Sequence, residues 1–237
     1  MLTVRSKLLG LKPGQWVLDV GCGRGRHAFE AFRRGASVVA LDVEGEAIKY
    51  VRSVLALMKE QGEGQGVFLC VKGDILHLPF PDGFFQRIIC AETLEHVRED
   101  RRAMQELVRV LAPGGRLAVT VPRYWPERIC WALSTKYRRQ PGGHVRVYKG
   151  RELVEALESL GLRLVAHHYA HSLHSPYWWL RCLTGHLEQD GKEPLVVRLY
   201  HRLLVWDIQH PSSPLRRLEE ALDPLMGKSL VLYLVKP

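Results

Sequence analysis

Short apolar segments alternate with helical segments through the first half of this sequence. Between the apolar segments, apolar residues recur at the spacing of an amphipathic helix. Strands that alternate with helices are typical of a parallel sheet with helices on both faces. The chain is therefore predicted to have an α/β fold. The predicted strands are residues 16–20, 37–42, 67–71, 86–91 and 116–121, and the longer predicted helices are 44–61 and 100–111.

The alternation loosens past residue 121, but no part of the remaining sequence resembles a linker. We therefore expect a single domain over residues 1–237 with two insertions. The first, 122–149, is predicted to be irregular and lid-like, and the second, 170–228, is predicted to be helical. A helix at 150–160 and strands at 162–169 and 229–235 are predicted around them.

A glycine turn follows the first predicted strand and leads directly into a helical segment. Its sequence is Gly21-Cys22-Gly23-Arg24-Gly25. Glycines at such a turn let the backbone approach a ligand closely, beside the N–H groups of the helix N-terminus. The spacing lacks the G-x-G-x-x-G phosphate fingerprint, so a pyrophosphate is not the favoured ligand. This disfavours nicotinamide-dependent oxidoreduction.

Two carboxylates follow the next two predicted strands. Asp42 ends the second strand and is placed to accept hydrogen bonds from both hydroxyls of a ribose. Asp74 follows the third strand and is placed to accept from an exocyclic amine such as adenine N6. The alternative for each is an N-cap of the next helix.

Four segments in this order resemble the successive motifs of the class I S-adenosylmethionine-dependent methyltransferases. They read VLDVGCGRGRHAFEA, VVALDVE, GDILHLPFPDGFFQRIICAETLEHV and LVRVLAPGGRLAVTVP. The resemblance is greatest to the broad group that includes quinone-biosynthesis enzymes and many small-molecule methyltransferases, and it covers roughly residues 12–165. It implies S-adenosyl-L-methionine as cofactor and a Rossmann-like, seven-stranded, mostly parallel sheet whose last strand is antiparallel.

The resemblance also implies a set of cofactor-binding residues. Asp19 and the backbone of Gly21, Cys22 and Gly23 would hold the amino-acid end of the cofactor. The ribose, adenine and methionine contacts would come from Asp42, Val43, Asp74, Ile75, Ala91 and Glu92.

The candidate catalytic residues lie in the segment Gly-Gly-His-Val-Arg-Val-Tyr. In related enzymes a similar segment closes over the cleft, so we expect His144, Arg146 and Tyr148 on the acceptor side, with His144 and Tyr148 as the catalytic candidates. The alternative is that His144 only fixes this loop by hydrogen bonding. His27, after the glycine turn, is expected to touch a ligand or to cap the turn. A general base is worth about 10²–10⁴-fold in rate, and alignment alone contributes roughly 7–11 kcal/mol in favourable cases.

Two places in the sequence offer groups that can bind a metal ion. Glu92, Glu95 and His96 offer carboxylates and an imidazole, and four histidines lie between 167 and 174. Glu95 and His96 are expected to be structural, because they stand at the start of a predicted helix. No metal is expected, since the enzymes that the chain resembles usually need none.

The net charge of +9 is unevenly distributed. Residues 123–149 carry seven basic residues against one acid, Glu127, with aromatic residues between them. Such a segment suits RNA, an anionic membrane surface or a solvated lid over the substrate. The later segment 176–206 is strongly apolar, with Arg198 and Arg202 on one helical face.

These features favour a small, hydrophobic, lipid-like acceptor, methylated on oxygen or carbon by in-line displacement. An RNA or tRNA methyltransferase and a non-catalytic cofactor-binding partner protein are the alternatives. The sequence lacks a signal-peptide h-region and any apolar run of about 18 residues, so a cytoplasmic location is expected, with peripheral membrane contact left open. The five cysteines form no CxxC pair, which disfavours a disulfide framework. Nothing in the sequence indicates an oligomeric state.

Overall fold

The computed structural model describes residues 2–185, 194–210 and 213–237. Its centre is a seven-stranded sheet in the order β3-β2-β1-β4-β5-β7-β6. Within it, β7 pairs antiparallel with both of its neighbours, and the other pairings are parallel, as predicted. The strands are β1 (Trp16–Val20), β2 (Ser37–Asp42), β3 (Phe68–Lys72), β4 (Phe85–Ala91), β5 (Leu111–Pro122), β6 (Arg163–Ala170) and β7 (Ser229–Val235).

Helices cover both faces of this sheet, which confirms the predicted α/β class. On one face, Phe32 and Leu55 are completely buried against the strands. On the other, Leu107 and Leu157 are completely buried. The first face carries α1 (Ser6–Leu9), α2 (Arg26–Arg33) and α3 (Gly45–Glu60), and the second carries α4 (Asp100–Val110) and α7 (Gly150–Glu158).

The strand order reverses beside β1, which lies between β2 and β4. In open α/β sheets, ligands bind outside the carboxyl ends of the strands at such a switch point. The glycine turn, Asp42 and Glu92 directly follow or end these three strands. The topology therefore places the sequence-predicted cofactor residues at one edge of the sheet.

β5 begins earlier than predicted. Leu111 pairs with Phe85, and the register then shifts before Arg87 pairs with Arg116. The residues Ala112-Pro-Gly-Gly, between the predicted helix 100–111 and the predicted strand 116–121, lie in this irregular part of the strand. A bulge accommodates the proline and the glycines because it leaves residues outside the regular hydrogen-bonded ladder.

The prediction that residues 122–149 are irregular is wrong for their first half. This part forms α5 (Tyr124–Leu133) and α6 (Thr135–Arg138). Pro126 lies in the first turn of α5, where a proline is tolerated because the N–H groups there have no intrahelical partner. The indole of Trp179 donates a hydrogen bond to the Pro126 carbonyl at 3.0 Å. The first insertion thus packs on the second.

The described part of the second insertion forms three helices. They are α8 (His174–Thr184), α9 (Leu195–Gln209) and α10 (Pro214–Met226). Within residues 2–185, 194–210 and 213–237, no helix combines the length and apolar character needed to span a bilayer. All five cysteines are free thiols.

Candidate cofactor and acceptor site

The glycine turn adopts a backbone that only glycine takes without strain. Gly21, Gly23 and Gly25 have φ angles of 66°, 49° and 76°. The N–H groups of Gly21 and Cys22 both donate to the Leu41 carbonyl, at 2.8 and 3.1 Å. A Cβ on Gly23 would have no described atom within 4 Å, so the turn faces open space there. An open turn of this kind lets a ligand bind directly to backbone groups.

Asp42 fastens the glycine turn to the end of β2. One carboxylate oxygen accepts from the Gly23 N–H at 2.8 Å, and the other accepts from the Glu44 N–H at 3.0 Å, just before α3. The N-cap of α3 is Glu44, so Asp42 is not the helix cap considered from sequence, although its carboxylate holds the N–H of that residue. Because a carboxylate oxygen accepts more than one hydrogen bond, the same group remains suited to a ribose at the open side of the turn.

An apolar surface adjoins this carboxylate. Val43 follows Asp42 with 59% of its side chain exposed. Asp74 is exposed as well, and it accepts a hydrogen bond from the Leu76 N–H at 2.9 Å, while Ile75 between them is buried. An exposed valine near two carboxylates fits a flat, mostly apolar ring with polar edges, which is the chemistry of adenosine.

The end of β4 holds a strained residue. Glu92 has a φ of 53°, in the left-handed region that residues other than glycine rarely occupy. The strain is fixed by Thr120, whose carbonyl accepts from the Glu92 N–H at 2.9 Å and whose hydroxyl donates to the Glu92 carboxylate at 2.9 Å. Thr93 then packs so close to Gly21 that a Cβ on that glycine would overlap it. Strain of this kind concentrates at functional sites.

Asp19 lies behind the glycine turn rather than in its opening. It is buried and accepts a hydrogen bond from the Ala28 N–H of α2 at 2.9 Å. Burial raises the pKa of Asp19 to about 7, against the opposing effects of that hydrogen bond and of Arg26. His27 is also buried, and burial lowers its pKa to about 3, so its imidazole is neutral.

A separate cavity of about 280 Å³ opens between the two insertions. It adjoins the 3₁₀ turn Leu94–His96, which follows β4. Its wall combines aromatic rings with three groups able to carry charge. The residues that line it include His96, Trp131, Tyr137, His144, Trp178 and Lys228.

His144 is the sequence-predicted catalytic candidate that lines this cavity. Its Nδ1 lies 2.7 Å from a carboxylate oxygen of Glu127, which is buried in α5. Burial alone would raise the pKa of Glu127, but the hydrogen bond with His144 and the charge of Lys228 hold the pKa below its ordinary value. The ionised carboxylate favours a proton on Nδ1 and leaves the Nε2 lone pair available.

Arg146 and Tyr148 hold the same segment against the start of α4. The Arg146 guanidinium donates to the carbonyls of Val97 and Arg98, each at 2.6 Å. The Tyr148 hydroxyl donates to the Asp100 carboxylate at 2.6 Å, and burial raises its pKa. Neither side chain is among those that line the cavity. The geometry suits both residues to positioning His144.

Glu95 is the most unusual carboxyl of the site. It is completely buried, and neither carboxylate oxygen has a hydrogen-bond partner among the described residues. Burial, followed by the charge of Glu92, raises its pKa well above the ordinary value. His96, beside it in the chain, is exposed and lines the cavity.

The basic residues of the first insertion largely contact the protein's own aromatic rings. The Arg123 guanidinium lies 3.7 Å from the ring centroid of Tyr169, and Arg128 and Arg138 lie 6.0 and 5.2 Å from that of Trp131. Such cation–π contacts stabilise the insertion itself. They also reduce the number of rings and charges that remain for stacking on RNA bases.

Residues 18–119 match the family model for a methyltransferase domain. The chain is 33% identical to a sterol 24-C-methyltransferase of Yarrowia lipolytica over 65% of this chain and 40% of that protein. It is also 33% identical to the mouse protein named probable tRNA methyltransferase 9B, over 71% of this chain and 33% of that protein. The solved structure of a Methanosarcina mazei methyltransferase superposes with a TM-score of 0.61 at 16% identity and covers 99% of both chains.

Residues 18–119 therefore carry a methyltransferase domain, and these matches support the class I S-adenosylmethionine-dependent methyltransferases as its family. The same matches support S-adenosyl-L-methionine as the cofactor, as the sequence resemblance implies. The chain spans less than two thirds of the length of these curated relatives, 40% and 33% respectively.

Sequence reasoning missed the groups that hold the site residues in place. Thr120 lies in the fourth quoted motif and Trp178 in the apolar segment 176–206, but neither pattern indicates which distant residues they meet after folding. Glu127 did leave a signal, because it is the single acid among the basic residues of its segment. An isolated acid in such surroundings indicates a carboxylate that pairs with a base. In this structure the base is His144.

The raised pKa of Asp19 predicts a particular dependence of the methyltransferase's stability on pH. A carboxyl whose pKa rises on folding stabilises most below its unfolded value, near 3.8, and loses that contribution as pH rises toward about 7. We expect the wild-type chain to lose stability relative to Asp19→Asn over this interval, by up to about 1.4 kcal/mol per pH unit. Urea unfolding of the cofactor-free proteins across the interval measures the difference.

Asp82→Asn is the matched control, because Asp82 is an exposed carboxylate remote from the glycine turn. The difference in stability between wild type and Asp82→Asn should not change with pH in the way predicted for Asp19→Asn. Parallel pH profiles for wild type and Asp19→Asn would contradict the prediction.

Proposed function

We propose that this chain transfers a methyl group from S-adenosylmethionine to a small, hydrophobic acceptor, on oxygen or carbon, within a single domain over residues 1–237. The observation that carries the proposal is the aromatic cavity beside the turn that follows β4. The cavity lies between the lid-like insertion, 122–149, and the helical insertion, 170–228. The acceptor would bind there.

The cofactor would be held along the carboxyl edge of β1, β2, β3 and β4. Its amino-acid end would lie against the backbone of the glycine turn, with the buried Asp19 supporting that turn from behind. When bound, it supplies an electrophilic methyl group on a sulfonium. The remaining contacts are assigned to Asp42 for the ribose, to Val43, Asp74 and Ile75 for adenine, and to Ala91 and Glu92 for the methionine moiety.

The cavity suits an apolar body with one polar or anionic end. The rings of Tyr137 and Trp178 pack with centroids 5.9 Å apart and offer the apolar wall. The Lys228 ammonium lies 5.0 Å from the Trp178 ring centroid and offers the charge. The name of the Yarrowia relative describes methylation of a sterol carbon, which supports a hydrophobic acceptor here too.

We assign His144 to the acceptor side as a catalytic residue, with Tyr148 and Arg146 as positioning residues. The hydrogen bond from His144 to Glu127 fixes the ring and leaves Nε2 available on the acceptor side. Methyl transfer needs the nucleophile in line behind the methyl carbon, so the rigid hold on His144 contributes through alignment.

Asp42→Ala tests the cofactor assignment. We expect an affinity for S-adenosylmethionine about 10–100-fold weaker by calorimetry, because hydrogen bonds to a charged group are worth about 1.5–3 kcal/mol. Thermal unfolding without the cofactor separates a binding effect from damage to the glycine turn. Asp82→Ala serves as the control, and an unchanged affinity in a folded Asp42→Ala protein would overturn the assignment.

A second experiment tests the acceptor class. The protein is incubated with methyl-labelled cofactor and a cell extract separated into lipid, small-molecule, RNA and protein pools. We expect label in the lipid or small-molecule pool, and at least about 10-fold less label with Trp178→Ala, since burial of a large ring is worth several kcal/mol. Cofactor affinity of the variant should remain unchanged. Label in RNA would favour the RNA methyltransferase alternative, and label in no pool would favour a non-catalytic cofactor-binding protein.

We further infer that α9 contacts an anionic membrane surface. Leu195, Leu199, Leu203 and Trp206 expose 40–60% of their surfaces on one side of the helix, opposite the buried Val197 and Leu204. Arg198 and Arg202 flank this apolar stripe and are exposed. An apolar stripe with tryptophan and flanking arginines is typical of helices that lie in the plane of an anionic membrane interface.

Cosedimentation with vesicles tests this contact. We expect the protein to bind vesicles that contain anionic phospholipid, and the double variant Leu199→Glu, Trp206→Glu to bind at least about 10-fold less well, since each buried apolar side chain contributes about 1.5–3 kcal/mol. Leu57→Glu, at an exposed leucine of α3, is the matched control. Absence of vesicle binding, or a dimer in solution that the double variant dissociates, would overturn the inference.

A further inference from the structure

Three potential metal ligands come together beside the acceptor cavity, and the two histidines among them line it. The three are Glu95 and His96, in the turn after β4, and His144, in the segment that follows α6. One ligand atom from each lies within 4.8 Å of the ligand atoms of the other two. Residues 48 positions apart are thus brought together by the fold, at a place that sequence reasoning expected to hold no metal.

Glu95 lacks any partner that would explain its burial. Both carboxylate oxygens are inaccessible and have no hydrogen-bond partner among the described residues. A buried carboxyl is costly unless it is paired, hydrogen-bonded or bound to a metal ion. A cation at the centre of the cluster would supply the missing partner.

Both histidines have the surroundings of metal ligands. His144 Nδ1 lies 2.7 Å from the Glu127 carboxylate, and His96 Nδ1 lies 3.2 Å from the Gly143 carbonyl. Histidines that bind metals almost always donate the other ring N–H to a carboxylate or a backbone carbonyl. With Nδ1 protonated in this way, each Nε2 lone pair is left for an ion.

We propose that Glu95, His96 and His144 bind one divalent transition-metal ion, of which Zn²⁺ is the best match. Two imidazoles and a carboxylate, with an open coordination position, form a known type of catalytic zinc site, and the same donors accept Co²⁺. The open position would face the cavity. Lys228 also lines the cavity and opposes a cation, but Glu95 would bind the ion as a carboxylate, and Glu127, the partner of His144, is ionised.

A second histidine cluster shares these features only in part, because Glu219 Oε1 and His174 Nδ1 are buried there without a hydrogen-bond partner in the described part of the chain, whereas Glu219 Oε2 is paired. His171, His174 and Glu219 also bring ligand atoms within 4.8 Å. There, however, His171 Nε2 lies 3.1 Å from the Thr3 hydroxyl, and the Arg216 guanidinium lies 3.4 Å from the Glu219 carboxylate. An arginine already neutralises the carboxylate, so this cluster serves as an internal control.

The ion would also narrow the acceptor class, and this step rests on the proposed function. A hydroxyl bound at the open position would lose its proton to solvent more readily. Its oxygen would then form the bond to the methyl carbon, while the sulfur–methyl bond breaks and its electron pair stays on sulfur. We therefore infer O-methylation of a hydroxylated acceptor.

Metal titration of the full chain tests the site without cofactor or acceptor. After chelation and dialysis, Co²⁺ is added and its visible ligand-field absorption is followed, and Zn²⁺ affinity is measured by competition with a chromophoric chelator. We expect one ion per chain. Glu95→Gln, His96→Gln and His144→Gln should each weaken Zn²⁺ binding at least about 10-fold, and Glu127→Gln should weaken it about 10–100-fold as the partner of a ligand.

The controls are His77→Gln, at an exposed histidine outside the cavity, and His174→Gln, in the second cluster. Neither should change the affinity or the stoichiometry. Thermal unfolding without metal checks each protein, and His96→Gln, at an exposed position, keeps the test valid if a buried variant does not fold. Absence of binding, or binding that only His174→Gln weakens, would overturn the metal site.

Failure of the metal site and failure of the proposed function give different results. If Zn²⁺ does not bind while the cofactor binds and label reaches an acceptor, the proposed function stands and the metal site is wrong. If Zn²⁺ binds as predicted but no pool accepts label, the metal site stands and methyl transfer is wrong. Label recovered on carbon would overturn only the inference of O-methylation.

Discussion

The cofactor half of the site depends on the hydrogen bonds that close the glycine turn onto β2. Two successive N–H groups of the turn donate to the Leu41 carbonyl, and a third donates to Asp42. These hydrogen bonds offset the conformational entropy that a turn with three left-handed glycines loses on folding. Because β1 and β2 are neighbours in a parallel sheet, the turn and the end of β2 are adjacent without further adjustment. The topology thus places the hydrogen-bond acceptors Leu41 and Asp42 beside the glycine turn that would hold the ligand.

The acceptor half depends on a single buried pair. Glu127 comes from α5 and His144 from the segment past α6, and their contact joins the two ends of the first insertion. Tyr137, between them in the chain, donates to the same carboxylate at 3.4 Å. A carboxylate kept ionised in a buried place costs energy unless such donors surround it. The pair therefore couples the shape of the insertion to the orientation of His144.

Much of the first half of the fold could be predicted from sequence, because its signals are local. The strands and helices around the glycine turn each bury a periodic apolar face, and the motifs follow one another along the chain. The first insertion could not be predicted in this way. Pro126 and the many arginines conceal the periodicity of α5, and the helix is held by Trp179, more than fifty residues away. Of the candidates in the His144 segment, sequence could not separate the side chain that lines the cavity from those that bond to α4.

The short segment from Glu92 to His96 connects the two halves. Glu92 takes a left-handed backbone that Thr120 holds in place, and this turns the chain away from the sheet. Thr93 then packs on the glycine turn, and three residues later His96 lines the acceptor cavity. A shift of this segment would therefore move the glycine turn and the wall of the acceptor cavity together. Strain at Glu92 persists because both sides of the site constrain it, which is the physical reason that a glutamate rather than a glycine is tolerated there.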